Sequence, residues 1–157
     1  MSHIAEIAVK GVAGESLVRD LDALAAAARS LGGELLRGKR TYKCYPGGWV
    51  GDTRPPEWWT PDMWEKCDHA IAFEGCEYEV GVVASGGGHR LVFDFWRAGG
   101  LRERLGGDDA PRLMAAYADR RNMALARDAL LAEAAAQGYA AEVVDVGPDV
   151  AKVVVRL

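Results

Sequence analysis

A chain of 157 residues fits one compact domain. With 50 % apolar or aromatic residues and 27 % charged ones it has apolar surface enough to offset chain entropy, which excludes a largely disordered polypeptide. The net charge of −4 disfavours a broad phosphate-binding surface, because nucleic-acid affinity grows with the Lys and Arg placed on phosphates.

Ile4–Val9 reads as a short strand, apolar except for Glu6 and closed by Gly11. Its setting, MSHIAEIAVKG, lacks the basic start and long apolar core of a signal peptide. After Gly14, Ser16 is a candidate N-cap, and Leu17, Leu21, Leu24, Ala28 and Leu31 recur at helical spacing. Gly32-Gly33 ends that helix. Glu34–Leu36 and Thr41–Tyr45 read as a strand interrupted near Gly38, with a local basic stripe of Arg37, Lys39, Arg40 and Lys43.

Residues 46–66, PGGWVGDTRPPEWWTPDMWEK, hold four of the five tryptophans and four of the six prolines. Proline and glycine prevent regular pairing there, so this is an ordered insert within one domain spanning 1–157. His69–Phe73, Tyr78–Ser85 and Arg90–Trp96 then read as strands, the last two joined by Gly86-Gly87-Gly88 as a hairpin. Alternation puts Leu91, Phe93 and Phe95 on one face and Val92, Asp94 and Trp96 on the other.

Gly99-Gly100 and Gly106-Gly107 flank a short polar segment. A long helix follows over Ala110–Gln137, with Pro111 in its first turn, Gly138 beyond its end, and a stripe of Leu113, Tyr117, Ala124, Leu131 and Ala135. Ala140–Val146 and Val150–Leu157 close the chain as two strands around Gly147-Pro148-Asp149. The order β-α-β-insert-β-β-β-α-β-β predicts an α+β fold: an antiparallel or mixed sheet of about six to seven strands with two helices packed on one face. No apolar run approaches about 18 residues, so no membrane span is expected. Three cysteines, an odd number, point to a reducing cytoplasm.

The opening Met1-Ser2-His3, the segment GCEYEVGVV (Gly75–Val83), LVFDFW (Leu91–Trp96) and the helix LMAAYADRRNMALARDALLAEAAAQGY (Leu113–Tyr139) with its terminal hairpin resemble one family. It is the hypothetical chloroplast reading frame thirty-five family, cyanobacterial and plastid, and also found in bacteria and phages. The resemblance runs along most of the chain in short motifs, and the Trp-rich insert departs from it. It implies a compact α+β domain and carries no activity and no catalytic residue.

Several constellations invite chemistry. Cys44, Cys67 and Cys76, with His69 and His89, supply zinc-type ligands and would clamp the insert, but no C-x-x-C pair exists. The alternative is small, partly buried thiols, and no metal or cofactor is assigned. Cys67-Asp68-His69 places a nucleophile beside a base, although strand alternation would turn Asp68 away. His3 and Asp94 form a possible general-base couple or a structural contact. The glycine runs lack the strand-before, helix-after order of a phosphate loop.

The tryptophans are the strongest lead. Trp49, Trp58, Trp59 and Trp64 either form a mini-core under the insert or leave one or two rings exposed as binding anchors. Asp52, Glu57, Asp62 and Glu65 around them would repel phosphates. The resulting expectation is a non-enzymatic accessory or adaptor domain that binds another protein through a sheet edge or the insert, with homo-oligomers allowed. The alternatives are a small enzyme around His3 and Asp94, and a single-stranded nucleic-acid binder. An adaptor should expose a contiguous apolar patch, an enzyme a pocket where titratable groups converge.

Overall fold

The computed structural model describes residues 3–48, 54–96, 100–147 and 150–156. Met1, Ser2, Trp49, Asp52, Gly99, Pro148, Asp149 and Leu157, all used above, lie outside them. By internal packing the chain groups into two compact units, Met1–Arg120 and Arg121–Leu157.

The first unit is built on an antiparallel sheet of five strands: β1 (Ile4–Ile7), β2 (Gly33–Arg37), β3 (His69–Phe73), β4 (Val80–Ser85) and β5 (Gly88–Asp94). Their spatial order is β1-β5-β4-β3-β2, so the contiguous meander β3-β4-β5 forms the centre and the two N-terminal strands form the edges. Gly86 and Gly87, with φ of 53° and 83°, make the two-residue turn between β4 and β5, where Ser85 pairs with Gly88. Two consecutive positive-φ positions are what a tight hairpin of matching twist requires.

Strand alternation gives the sheet two buried faces. Ile7, Ile71, Phe73, Val80, Val82, Leu91 and Phe93 pack under the helices α1 (Leu21–Ser30), α2 (Leu101–Leu105) and the start of α3 (Pro111–Ala136). Ala70 and Val92 point to the opposite face, where Tyr42, Cys44 and Cys67 cover them, with Trp58 and Trp64 packed alongside. A sheet covered on both sides explains why β3 reads as a near-continuous apolar run rather than an alternating one.

Three local expectations are corrected. The N-cap of α1 is Asp20, whose carboxylate accepts the Ala23 N–H at 2.9 Å, and the helix starts at Leu21; the stretch around Ser16 instead leads Val18 into a β-bridge with His89. Residues 101–105 form α2, because Leu101 and Leu105 stand one helical turn apart and are fully buried. Thr41–Tyr45 makes no strand beyond the isolated Thr41–Lys66 bridge.

The second unit holds the rest of α3 and a hairpin of β6 (Ala140–Gly147) and β7 (Val150–Arg156), a separate two-stranded sheet. The single sheet of about six to seven strands anticipated from sequence is thus two sheets, of five and two strands. The α3 stripe is buried at Leu113 and Tyr117, partly buried at Ala124 and Leu131, and exposed at Ala135, with Ala134 buried in its place. Among the described residues no helix is long and apolar enough to cross a membrane.

Candidate functional site

Most of the described tryptophan surface belongs to the core of the insert. Trp59 is buried and meets Trp64 edge-on, with ring centroids 6.4 Å apart. Trp58 donates its Nε1–H to Glu6 Oε2 at 2.8 Å, and the Arg90 guanidinium lies 5.4 Å from the centre of its ring. Arg90 also pairs with Glu6 Oε1 at 2.8 Å, so an ion pair on the sheet holds the indole from two sides. Trp58 and Trp64 remain half-buried, while Trp49 lies outside the described residues. The mini-core reading thus accounts for Trp59 and for much of Trp58 and Trp64.

Two buried carboxylates secure the chain entering the insert. Glu79 accepts both Lys39 Nζ contacts, at 2.7 and 2.6 Å, and the Lys43 N–H at 3.0 Å. Asp94 is fully buried and accepts three backbone N–H groups: His3 at 3.0 Å, Trp96 at 3.1 Å and Tyr45 at 3.2 Å. His3 and Asp94 therefore do meet, but through the His3 backbone. The His3 imidazole lies against Phe95 and Trp96, its Nδ1 buried without a hydrogen-bond partner among the described residues. The arrangement ties three chain segments together, as charge-assisted bonds to backbone donors do.

The cysteine candidates do not converge. Cys44 and Cys67 pack with Tyr42 on the insert side, whereas Cys76 packs into the helix-side core. The His69 ring stands 5.3 Å from that of His89, and its Nδ1 accepts the Gly38 N–H. Burial and the His69 imidazole hold His89 below the ordinary histidine range. Among the described residues no group of three or more His, Cys, Asp or Glu side chains is placed to hold a metal ion. Cys67 donates to the Lys39 carbonyl at 3.2 Å, and burial pushes its thiol up to about 11. Burial, then Glu65 and Asp94, push Cys44 up further. Neither is an activated nucleophile.

A cleft of about 420 Å³ runs beside these residues, lined by Lys39, Lys43, Glu65, Glu77, Tyr42 and Tyr78 among others. Charges of both signs line it, and the Lys39 ammonium is already bound by Glu79. Burial, followed by Cys44 and Cys67, pushes the Tyr42 phenol upward and keeps it neutral. The Tyr42 ring lies on Gly81, where an added Cβ would come within 2.7 Å of a ring carbon. Because the close contacts are to ring atoms Cγ, Cδ1 and Cε1 of a buried Tyr42, Gly81→Ala is expected to cost about 1–3 kcal/mol by overpacking. A urea midpoint unchanged in that variant would show that the ring has somewhere to go.

Three of the four basic residues of the 37–43 stripe are engaged within the chain: Arg37 with Asp22, Lys39 with Glu79 and Arg40 with Asp68. Their charge is locally balanced, which leaves little surplus for phosphates.

Sequence reasoning missed the C-terminal unit as a site. Every large apolar side chain that is exposed among the described residues lies between Met123 and Val155. The signal was the run Val153-Val154-Val155, apolar on both faces of its strand, after a helix whose second half is mostly alanine. Alanine offers little surface to cover a sheet.

No family model matches the chain, and neither does any curated protein or solved structure compared with it.

Proposed function

We propose that this chain is a non-enzymatic accessory domain that binds protein, with the contact surface on the C-terminal unit rather than on the tryptophan insert. The observation that carries the reading is that, among the described residues, the exposed large apolar side chains fall within residues 123–155. Scattered apolar surface needs no explanation, but a concentrated patch marks an interaction site. Membership of the family resembled in sequence belongs to this proposal and adds a fold without an activity. So does a cytoplasmic setting in a bacterium or phage-infected cell, supported by three unpaired cysteines. The enzyme alternative has no observation in its favour at His3 and Asp94, where three backbone donors occupy the carboxylate.

Amine cross-linking in native extract tests this. Lys152 lies on the hairpin, whereas Lys43 and Lys66 lie beside or within the insert. Intermolecular links should concentrate at Lys152. Links confined to Lys43 and Lys66 would move the surface back to the insert, and no intermolecular links at any of them would end the protein-binding reading.

A further inference from the structure

We infer that His69 and His89 form an acid-sensitive clasp, which holds residues 38–41 to the end of the five-stranded sheet at neutral pH and releases them as pH falls. The inference goes beyond the protein-binding reading and does not depend on it. Strand alternation puts His69 on the same face of β3 as Ile71 and Phe73, and His89 on the same face of β5 as Leu91 and Phe93. Their ring centroids are 5.3 Å apart, and both residues are partly buried. Gly38, at φ 74°, turns the chain off β2 and donates its N–H to His69 Nδ1 at 2.9 Å. Nδ1 can accept only while the ring is neutral with its proton on Nε2, because an imidazolium has two donors and no acceptor. Protonation of His69 therefore sets two donors against each other at Gly38 and brings a cation up to the neighbouring imidazole.

The acids around the pair are already engaged. From the α1 side, Asp20 caps the helix and Asp22 binds Arg37, which is paired in register with His69. Asp68 gives one oxygen to Arg40 and the other to the Ala84 N–H. Lys39 is held by Glu79, and Arg90, next to His89, by Glu6. Arg19 adds positive charge at the β4–β5 turn, 3.7 Å from where a Cβ on Gly87 would stand. Burial first, then the His69 ring, hold His89 below the ordinary histidine value, against the opposing pull of Asp68. A histidine depressed in this way stabilises the fold above about pH 6.5 and loses that contribution as pH falls. The clasp sits at the base of the chain that enters the insert. Beyond Gly38, the Lys39 carbonyl accepts from Cys67 Sγ and the Arg40 carbonyl from the Cys67 N–H, with Thr41 bridged to Lys66. Release at Gly38 lets these contacts open in turn.

Amide NMR on the full chain, from about pH 7.5 to about pH 5, tests the clasp across the range in which histidine titrates. His69→Asn is the non-titrating comparison, since its Oδ1 can accept from Gly38 at every pH. In wild type the Gly38 amide resonance should move in step with His69 protonation, followed at the ring protons. Its exchange, corrected for the intrinsic effect of pH, should speed up about ten-fold, as the loss of one hydrogen bond implies. The Cys67 amide, bonded to the Arg40 carbonyl, should speed up with it. In His69→Asn both amides should stay unchanged over the same range. A Gly38 amide that ignores the His69 titration overturns the clasp, and so does one that responds equally in His69→Asn. A Gly38 response that Cys67 does not share overturns the release of residues 38–41. The Gly38 and Cys67 readings on wild type stand by themselves if the asparagine variant does not fold.

Discussion

Asp94→Ala is expected to lower the unfolding free energy by about 2–5 kcal/mol, because three backbone N–H groups lose a charged acceptor. The carboxylate is the shared acceptor of N–H groups from His3, Tyr45 and Trp96. Alanine would leave those donors facing a fully buried space, and each unmatched donor costs about 1–3 kcal/mol unless it finds another acceptor. Asp94→Asn keeps one acceptor oxygen and turns an NH₂ group towards one of the donors, so its loss should fall between wild type and alanine. Urea unfolding of the three proteins measures the series. A loss below about 1 kcal/mol for alanine would mean that water or the chain replaces the carboxylate, and that Asp94 is not the latch. The result also bears on function, because an aspartate committed to three backbone bonds is poorly placed to serve as a general base for a substrate.

The second large effect is a difference in thiol reactivity. At neutral pH a thiol moved from 9.0 to about 11 has roughly a hundred-fold smaller thiolate fraction, and the thiolate is the reacting form. Cys44, raised further by burial and by two carboxylates, should react more slowly still. Cys76 is only half-buried. A disulfide reagent at pH 7.5 should therefore modify Cys76 first, with Cys67 and Cys44 following about a hundred-fold later or only after denaturant is added. Peptide mapping of the labelled protein gives the order. Fast modification of Cys67 would reopen a nucleophilic role for that residue.

Much of the fold was legible in the residues because burial and periodicity agreed. The β3 apolar run, the glycine-marked β4–β5 turn and the proline-to-glycine limits of α3 follow from local chemistry and fall where expected. The failures have local causes too. Ser16 and Asp20 are both good caps, and the choice depended on Val18 bridging to His89, a contact between residues far apart in sequence. Helix α2 is too short to show a period, and only the burial of Leu101 and Leu105 makes it helical in context.

The candidate site was harder to read. A tryptophan cluster looks alike as core or as contact surface until its partners are known. Glu6 and Arg90, which hold Trp58, are 84 positions apart in sequence. The hairpin valines were identified as strand residues, but whether anything covers them is a tertiary property with no local signature.

The strand order of the first unit also sets how the chain can assemble. Strands β3, β4 and β5 follow one another with short turns, so each pairing closes a small loop at low entropic cost. Strand β1 pairs with β5 only after the ends of a very long loop are brought together; His3 and Asp94 are 91 positions apart. Contacts of that span arrive late, because their entropy must be lost before they stabilise anything. The central meander is the piece that can nucleate, and the N-terminal strand with its Asp94 bond is the piece that completes the sheet.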